Sequence, residues 1–273
     1  MRHSFLDRYR HGTSLIHRLD PRFKLVATLA FIVVVASTPP RAWLAFVLLA
    51  GLAVGMVLLA EVPLAEMLKR STIALPFAVT VAVSVPFTHA GNVVWAWQPF
   101  GLAGRSWTLT VTDEGLFLFI AVVVKAWLSV MVSGLLVSTT PFPNLLAAMR
   151  SLRVPTVLTA TISFMYRYLF VLVDEAMRLM IARQARSVGT GRTVAWRAQV
   201  LGGMIGSLFI RSYERSERIY AAMLSRGFDL ADGQVRTLEP LTWEARDSWA
   251  VAVCATVLVA IAVLGRLPLQ RLF

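Results

Sequence analysis

The sequence predicts an all-α membrane protein, with about five transmembrane helices and a cytoplasmic module of long, crossing amphipathic helices. Three observations carry this. Of 273 residues, 57% are hydrophobic and 15% charged, at a mean hydropathy of +0.68, a balance too apolar for an ordinary soluble domain. Apolar runs of helix length recur between 25 and 138 and again after 247, separated by polar or proline-rich breaks. Between 139 and 246 the texture changes: fourteen Arg and eight acids are scattered among apolar residues, with no uninterrupted span of membrane length.

The elements follow in order. Residues 1–24 are polar and basic and form a cytoplasmic N-terminal segment. Asp20 is a good N-cap and Pro21 suits the first helical position, so a helix starts here, with Arg22 and Lys24 placed to snorkel to headgroups. An apolar stretch from Leu25 to Ser37, a break at Thr38-Pro39-Pro40-Arg41 and a second stretch from Ala42 to Ala60 read as a helical hairpin. Gly51 and Gly55 on its second arm suit ordinary close packing. Lys69 and Arg70 return the chain to the cytoplasm. A third span then runs from Thr72 to Thr88, kinked by Pro76 and Pro86.

Residues 89–112 form an external loop in which Trp95, Trp97 and Trp107 sit at headgroup level and Ser106–Val111 alternates like a short strand. Thr112, followed by Asp113 and Glu114, opens a fourth span that runs to about Ser138. Lys125 near its middle is an intramembrane charge, better explained by pairing within the bundle or with a partner helix than by transport chemistry. These spans make up 25–138. The module at 139–246 holds a short helix from Asn144 to about Leu152 and two long ones, roughly Thr156 to Arg186 and Val194 to Arg226. The second carries Gly202, Gly203 and Gly206, small residues suited to a close helix crossing. Residues 247–273 hold the last span, Trp249 to Gly265, and a tail.

With the N-terminus inside, cytoplasmic segments hold six, two and fourteen of the 27 basic residues, and external segments with the tail hold four. The net charge of +12 therefore reflects membrane orientation and calls for no nucleic acid.

The module contains an internal echo. Shifted by forty positions, Asp174 falls on Glu214, Arg178 on Arg218, Ala182 on Ala222 and Arg186 on Arg226. Acid, base, small, base recurs on one helical face. Each copy closes on a small-Arg-small triplet, Ala185-Arg186-Ser187 and Ser225-Arg226-Gly227, at a helix end where carbonyls lack partners. Two solvated helices with ordinary caps would show the same spacing. The alternative is a pair of arginine knobs offered to a partner.

Other chemistry finds little support. His3, His11, His17 and His89 show no metal-ligand spacing among themselves or with Cys254, the single cysteine. No G-x-x-x-x-G-K-[ST] loop and no G-x-S-x-G elbow is present. An embedded enzyme using Lys125, His89 or Tyr166 would need these groups at one depth, and their predicted depths differ. A self-contained secondary transporter would prefer inverted membrane repeats.

The run Ser14-Leu15-Ile16-His17-Arg18-Leu19-Asp20-Pro21-Arg22-Phe23-Lys24-Leu25, the Thr139-Thr140-Pro141 break, Phe164-Met165-Tyr166-Arg167-Tyr168 and the two arginine triplets resemble the transmembrane T component of energy-coupling-factor transporters. The likeness is nearest to the cobalt-type CbiQ subfamily and spans nearly the whole chain. One departure is Ser225, where the second triplet usually begins with Ala. The resemblance implies a non-enzymatic coupling subunit of the inner (plasma) membrane, without cofactor or metal of its own. Its partners would be two cytoplasmic ABC ATPases and a membrane substrate-binding component, CbiM-like for cobalt, with a small accessory membrane subunit. Arg186 and Arg226 would be the docking residues, since a guanidinium fork bridges carboxylates and exposed carbonyls.

Overall fold

The computed structural model describes residues 12, 14–88, 92–97, 109–186, 193–228 and 245–266. The chain divides into two compact units: a bundle within Ser4–Ala148 and Leu241–Phe273, and a helix pair within Met149–Pro240.

The bundle is organised around α7 (Asp113–Thr139), which packs against α2 (Pro21–Ser37), α3 (Trp43–Leu59), α4 (Leu64–Thr72), α5 (Leu75–Ala82) and α6 (Val85–Thr88). A four-residue helix, α1 (Leu15–Arg18), precedes α2, and α11 (Ala245–Arg266) packs on α2 and α3. The core holds Phe31 and Val35 of α2, Leu49 and Ala53 of α3, Leu128 and Met131 of α7, and Leu258 and Ile261 of α11. Their spacings of three and four place each pair on one helical face. Outward faces are equally apolar, with Val33, Val47, Leu58, Phe77 and Val259 exposed. A bundle this greasy on the outside is built for lipid. There the inner faces are held by dispersion and close fit, because leaving lipid yields little hydrophobic gain.

Helix starts follow their expected chemistry. The Asp20 side chain accepts from the Arg22 N–H at 2.7 Å, with Pro21 at N1, and the Thr112 hydroxyl accepts from the Gly115 N–H at 3.3 Å. Gly115 is dictated by packing, because a Cβ there would lie 2.7 Å from the Pro86 backbone.

The third span differs from the single kinked helix expected from Thr72. It begins at Leu64 and is broken twice, into α4, α5 and α6. Pro76 and Pro86 each fall at the second position of a new helix, where the missing N–H costs nothing. Among the described residues, four segments are long and apolar enough to cross a membrane: Leu64–Thr88, Asp113–Thr139, Thr156–Arg186 and Asp247–Arg266. The third lies in the segment expected to be cytoplasmic. α2 and α3, with 17 residues each, reach only about 26 Å at 1.5 Å per residue.

The segment expected as an external loop with one short strand holds a two-stranded hairpin. β1 (Val93–Trp97) pairs antiparallel with β2 (Leu109–Thr112), with a register shift between Val93 and Trp95. Trp107 and His89 lie outside the described residues.

The lysines of α2 and α7 form a reciprocal arrangement. Lys125 Nζ donates to the Ala36 carbonyl at 2.9 Å, in the last turn of α2, where carbonyls lack intrahelical partners and the dipole favours a cation. Lys24, expected to snorkel outward, is instead 7% exposed and donates to the carbonyls of His17 at 3.1 Å and Thr139 at 3.3 Å. Thr139 is the last residue of α7. Each helix thus supplies the cation for the other's C-terminus. Asp247 of α11 completes the lower end, accepting from the Asp20 N–H at 3.0 Å.

α8 (Phe142–Ser151) leads to the second unit, which holds α9 (Thr156–Arg186) and α10 (Val194–Ser225). α8 stops at Arg153 and α3 at Glu61, both with positive φ. In each case the next residue bonds back to the helix, Val154 to Met149 and Val62 to Val57, before a proline.

Candidate functional site

α9 and α10 are long because their sequences run as good helix formers without interior proline, and they pair antiparallel, with side-chain contacts along their length. Arg183, in the last turn of α9, lies over the Trp196 ring in the first turn of α10, 5.9 Å from its centroid. Near the middle, half-buried Glu175 takes Arg211 at 3.1 Å and Arg215 at 3.9 Å. At the far end Phe228 meets Phe164 edge-on, with ring centroids 6.1 Å apart. Beside these contacts a groove of about 330 Å³ is lined by Phe164, Tyr168, Ile219 and Tyr220 among others.

This pairing puts the two arginine triplets at opposite ends. Arg186 closes α9 on the side where α10 begins, and Arg226 caps α10 on the side where α9 begins. Since α10 has 32 residues, the tips are separated by about 48 Å at 1.5 Å per residue. Ala185, Arg186, Ser225, Arg226 and Gly227 are all exposed. Ser187 lies outside the described residues.

The second tip has a defined backbone. Arg226 is the C-cap, Gly227 follows at φ +67, the Gly227 N–H donates to Leu224 O at 3.0 Å and the Phe228 N–H to Met223 O at 3.0 Å. This pair of bonds satisfies carbonyls the helix leaves open and turns the chain so that Phe228 returns to α9. The Ser225 hydroxyl donates to Ala222 O at 3.0 Å, so Ser in place of Ala adds a local bond without bulk. Gly227→Ala should cost about 1 to 2 kcal/mol at this left-handed position. Amide exchange at Phe228 should then rise roughly tenfold, while the amides of α9 stay unchanged.

One expectation changes. Gly202, Gly203 and Gly206 are exposed, and a Cβ built on any of them meets nothing within 4 Å. The close crossing expected of them is not made among the described residues, because the contacts between α9 and α10 lie elsewhere. Lys125 is engaged by a helix end and meets no acidic side chain in a described ion pair. Glu175 was invisible to sequence reasoning, which weighed Asp174 instead. Its partners lie 36 and 40 residues away, and only the antiparallel register brings them together. Among the described residues no cluster of His, Cys, Asp and Glu suited to a metal is present.

A helical bundle with apolar spans, joined in sequence to a pair of long helices with exposed arginine ends, defines an all-α multi-pass membrane protein. The profile of the CbiQ family, cobalt transport proteins, matches residues 12–237. The chain is similar to the energy-coupling factor transporter transmembrane protein EcfT of Limosilactobacillus fermentum, 30% identical over 90% of this chain and 91% of the relative. EcfT of Lactococcus lactis is 28% identical, over 92% and 94% of the two chains. EcfT of Bacillus subtilis is 27% identical, over 94% and 96%. The chain belongs to this family: it is the transmembrane T component of an energy-coupling-factor transporter, a multi-pass membrane protein and not itself an ATPase.

Proposed function

We propose that the chain is the mechanical link of an ATP-driven cobalt importer in the inner (plasma) membrane. Two cytoplasmic ABC ATPases grip Arg186 and Arg226, and the helix pair passes their movement to a membrane substrate-binding component, CbiM-like and joined by a small accessory membrane subunit. The observation that carries this is the placement of two exposed arginine tips at opposite ends of one pinned helix pair. Tips about 48 Å apart suit two separate partners better than one. Closing two ATPases on ATP would change the distance between their grips, and a helix pair held by Glu175, Arg183 and Phe228 would answer by hinge or shear movement. The family's description as cobalt transport protein supports cobalt as the cargo.

In this reading the N-terminus is cytoplasmic and residues 139–246 form the module at the cytoplasmic face. The first part of α9, up to Val173, carries only Arg167 among charged residues and lies against lipid, while Asp174 to Arg186 carry the charge and reach water. The open face at Gly202, Gly203 and Gly206 is left for a helix of the substrate-binding component.

Purification of the tagged chain from its native membrane in mild detergent tests the reading. Two ATPases and a small multi-span protein should copurify. Cobalt uptake by the chain reconstituted alone, with no partner, would refute it.

A further inference from the structure

Within the bundle, α2, α3, α7 and α11 line a half-open cavity of about 260 Å³. Its walls are apolar for most of their length, with Phe31, Leu52, Met56, Val132 and Leu258 among them. Among the described residues that line it, the one charged group, Lys24, lies with Thr139 at one end. Lys24 spends two of its three N–H donors on the carbonyls of His17 and Thr139. No third acceptor is found for it among the described residues, and the carboxylates of Asp20 and Asp247 lie near it. Two residues earlier, Arg22 holds a buried Nε without a partner among the described residues, a further donor on the turn that leads to this end.

The shape is that of an amphiphile: donors at one end and a greasy shaft behind them. Along α11 the lining runs from Ala250 to Leu258, about 12 Å at 1.5 Å per residue. An apolar cavity of about 150 Å³ takes up benzene, so this one has room for roughly ten methylene groups. An apolar cleft open to the surroundings gains contacts when an apolar chain lies in it. The surrounding medium of a membrane bundle supplies one molecule of this form in abundance.

We propose that the cavity is a binding site for one lipid acyl chain, its carboxyl-derived oxygen accepting from Lys24 and its methylenes running between α2, α7 and α11. Two sources share this chemistry, a free fatty acid and the acyl ester of an anionic phospholipid. The site is independent of how the ATPases dock.

Cys254, the single cysteine, lines the wall and serves as reporter. The full chain is stripped of lipid by detergent exchange, and alkylation of Cys254 by N-ethylmaleimide is followed with oleate or phosphatidylglycerol added back. Protection of about tenfold at saturating amphiphile is expected. Protection by oleate alone assigns a fatty acid, and protection by phosphatidylglycerol assigns a phospholipid chain. A Cys254→Ser, Val259→Cys chain carries the thiol on the exposed face of the same helix and should not be protected. Ala250→Trp, which fills the shaft, should remove amphiphile retained through purification, as read by mass spectrometry of the extract. The wild-type alkylation result stands even if that variant fails to fold. Equal protection at 254 and 259, meaning an ordinary lipid shell, or no protection at 254 by either amphiphile, overturns the proposal.

Discussion

Arg186→Glu combined with Arg226→Glu should leave the protein in the membrane with unchanged thermal stability and abolish its hold on the ATPases. Both guanidinium groups are exposed at helix ends, so neither contributes to the packing of its own chain. A charge that becomes buried and hydrogen-bonded in an interface is costly to remove and costlier to reverse. At about 2 to 5 kcal/mol for each such contact, affinity should fall at least 30-fold for one site. The two sites are far apart, so the single variants should each weaken one attachment and the double should lose both. Copurification and ATP-dependent cobalt uptake are the readouts. Normal values of both in the double variant would end the docking role of these residues. Arg→Lys variants sharpen the test, because a point charge keeps the attraction and loses the fork.

Lys24→Met should be the most destabilising single change in the bundle. The ammonium is buried at 7% exposure, bonded to His17 O and Thr139 O, with Asp20 and Asp247 beside it. Met fills the same volume, so the loss is electrostatic: two carbonyls without a donor and two buried acids without their cation. Leaving buried carbonyls and carboxylates without their nearby cation in this way costs about 3 to 5 kcal/mol. That should lower the melting temperature in detergent by roughly 10 °C, read by loss of the monodisperse chromatographic peak on heating. Asp247→Asn keeps an acceptor for the Asp20 N–H and should be milder. A melting temperature for Lys24→Met equal to that of the parent would show that this end is wet.

Much of the fold was legible in the sequence, and the reason is the bilayer. A chain that must satisfy every backbone group inside lipid has few shapes available, so apolar runs and the capping residues Asp20 and Thr112 suffice for helix class and helix starts. Prolines at 76 and 86 pointed to disturbance in the third span without showing that it splits. That outcome depends on where the helix restarts, and each proline proved to sit at a new first turn. The strand expected at Ser106–Val111 found its partner in Val93–Trp97, a pairing that alternation in one segment does not name.

The arginine triplets were also visible in the sequence, because a forty-residue echo is a property of spacing alone. Their separation at opposite ends was decided by the antiparallel register of α9 and α10, through contacts such as Glu175 with Arg211 that join residues far apart in the chain. Lys24 and Lys125 make the same division. Composition marks each as a charge in an apolar setting, but whether such a charge reaches outward or turns in depends on which helix ends lie within reach. Tertiary packing brought the Ala36 and Thr139 carbonyls there, and with them the cavity between four helices that no single helix encodes.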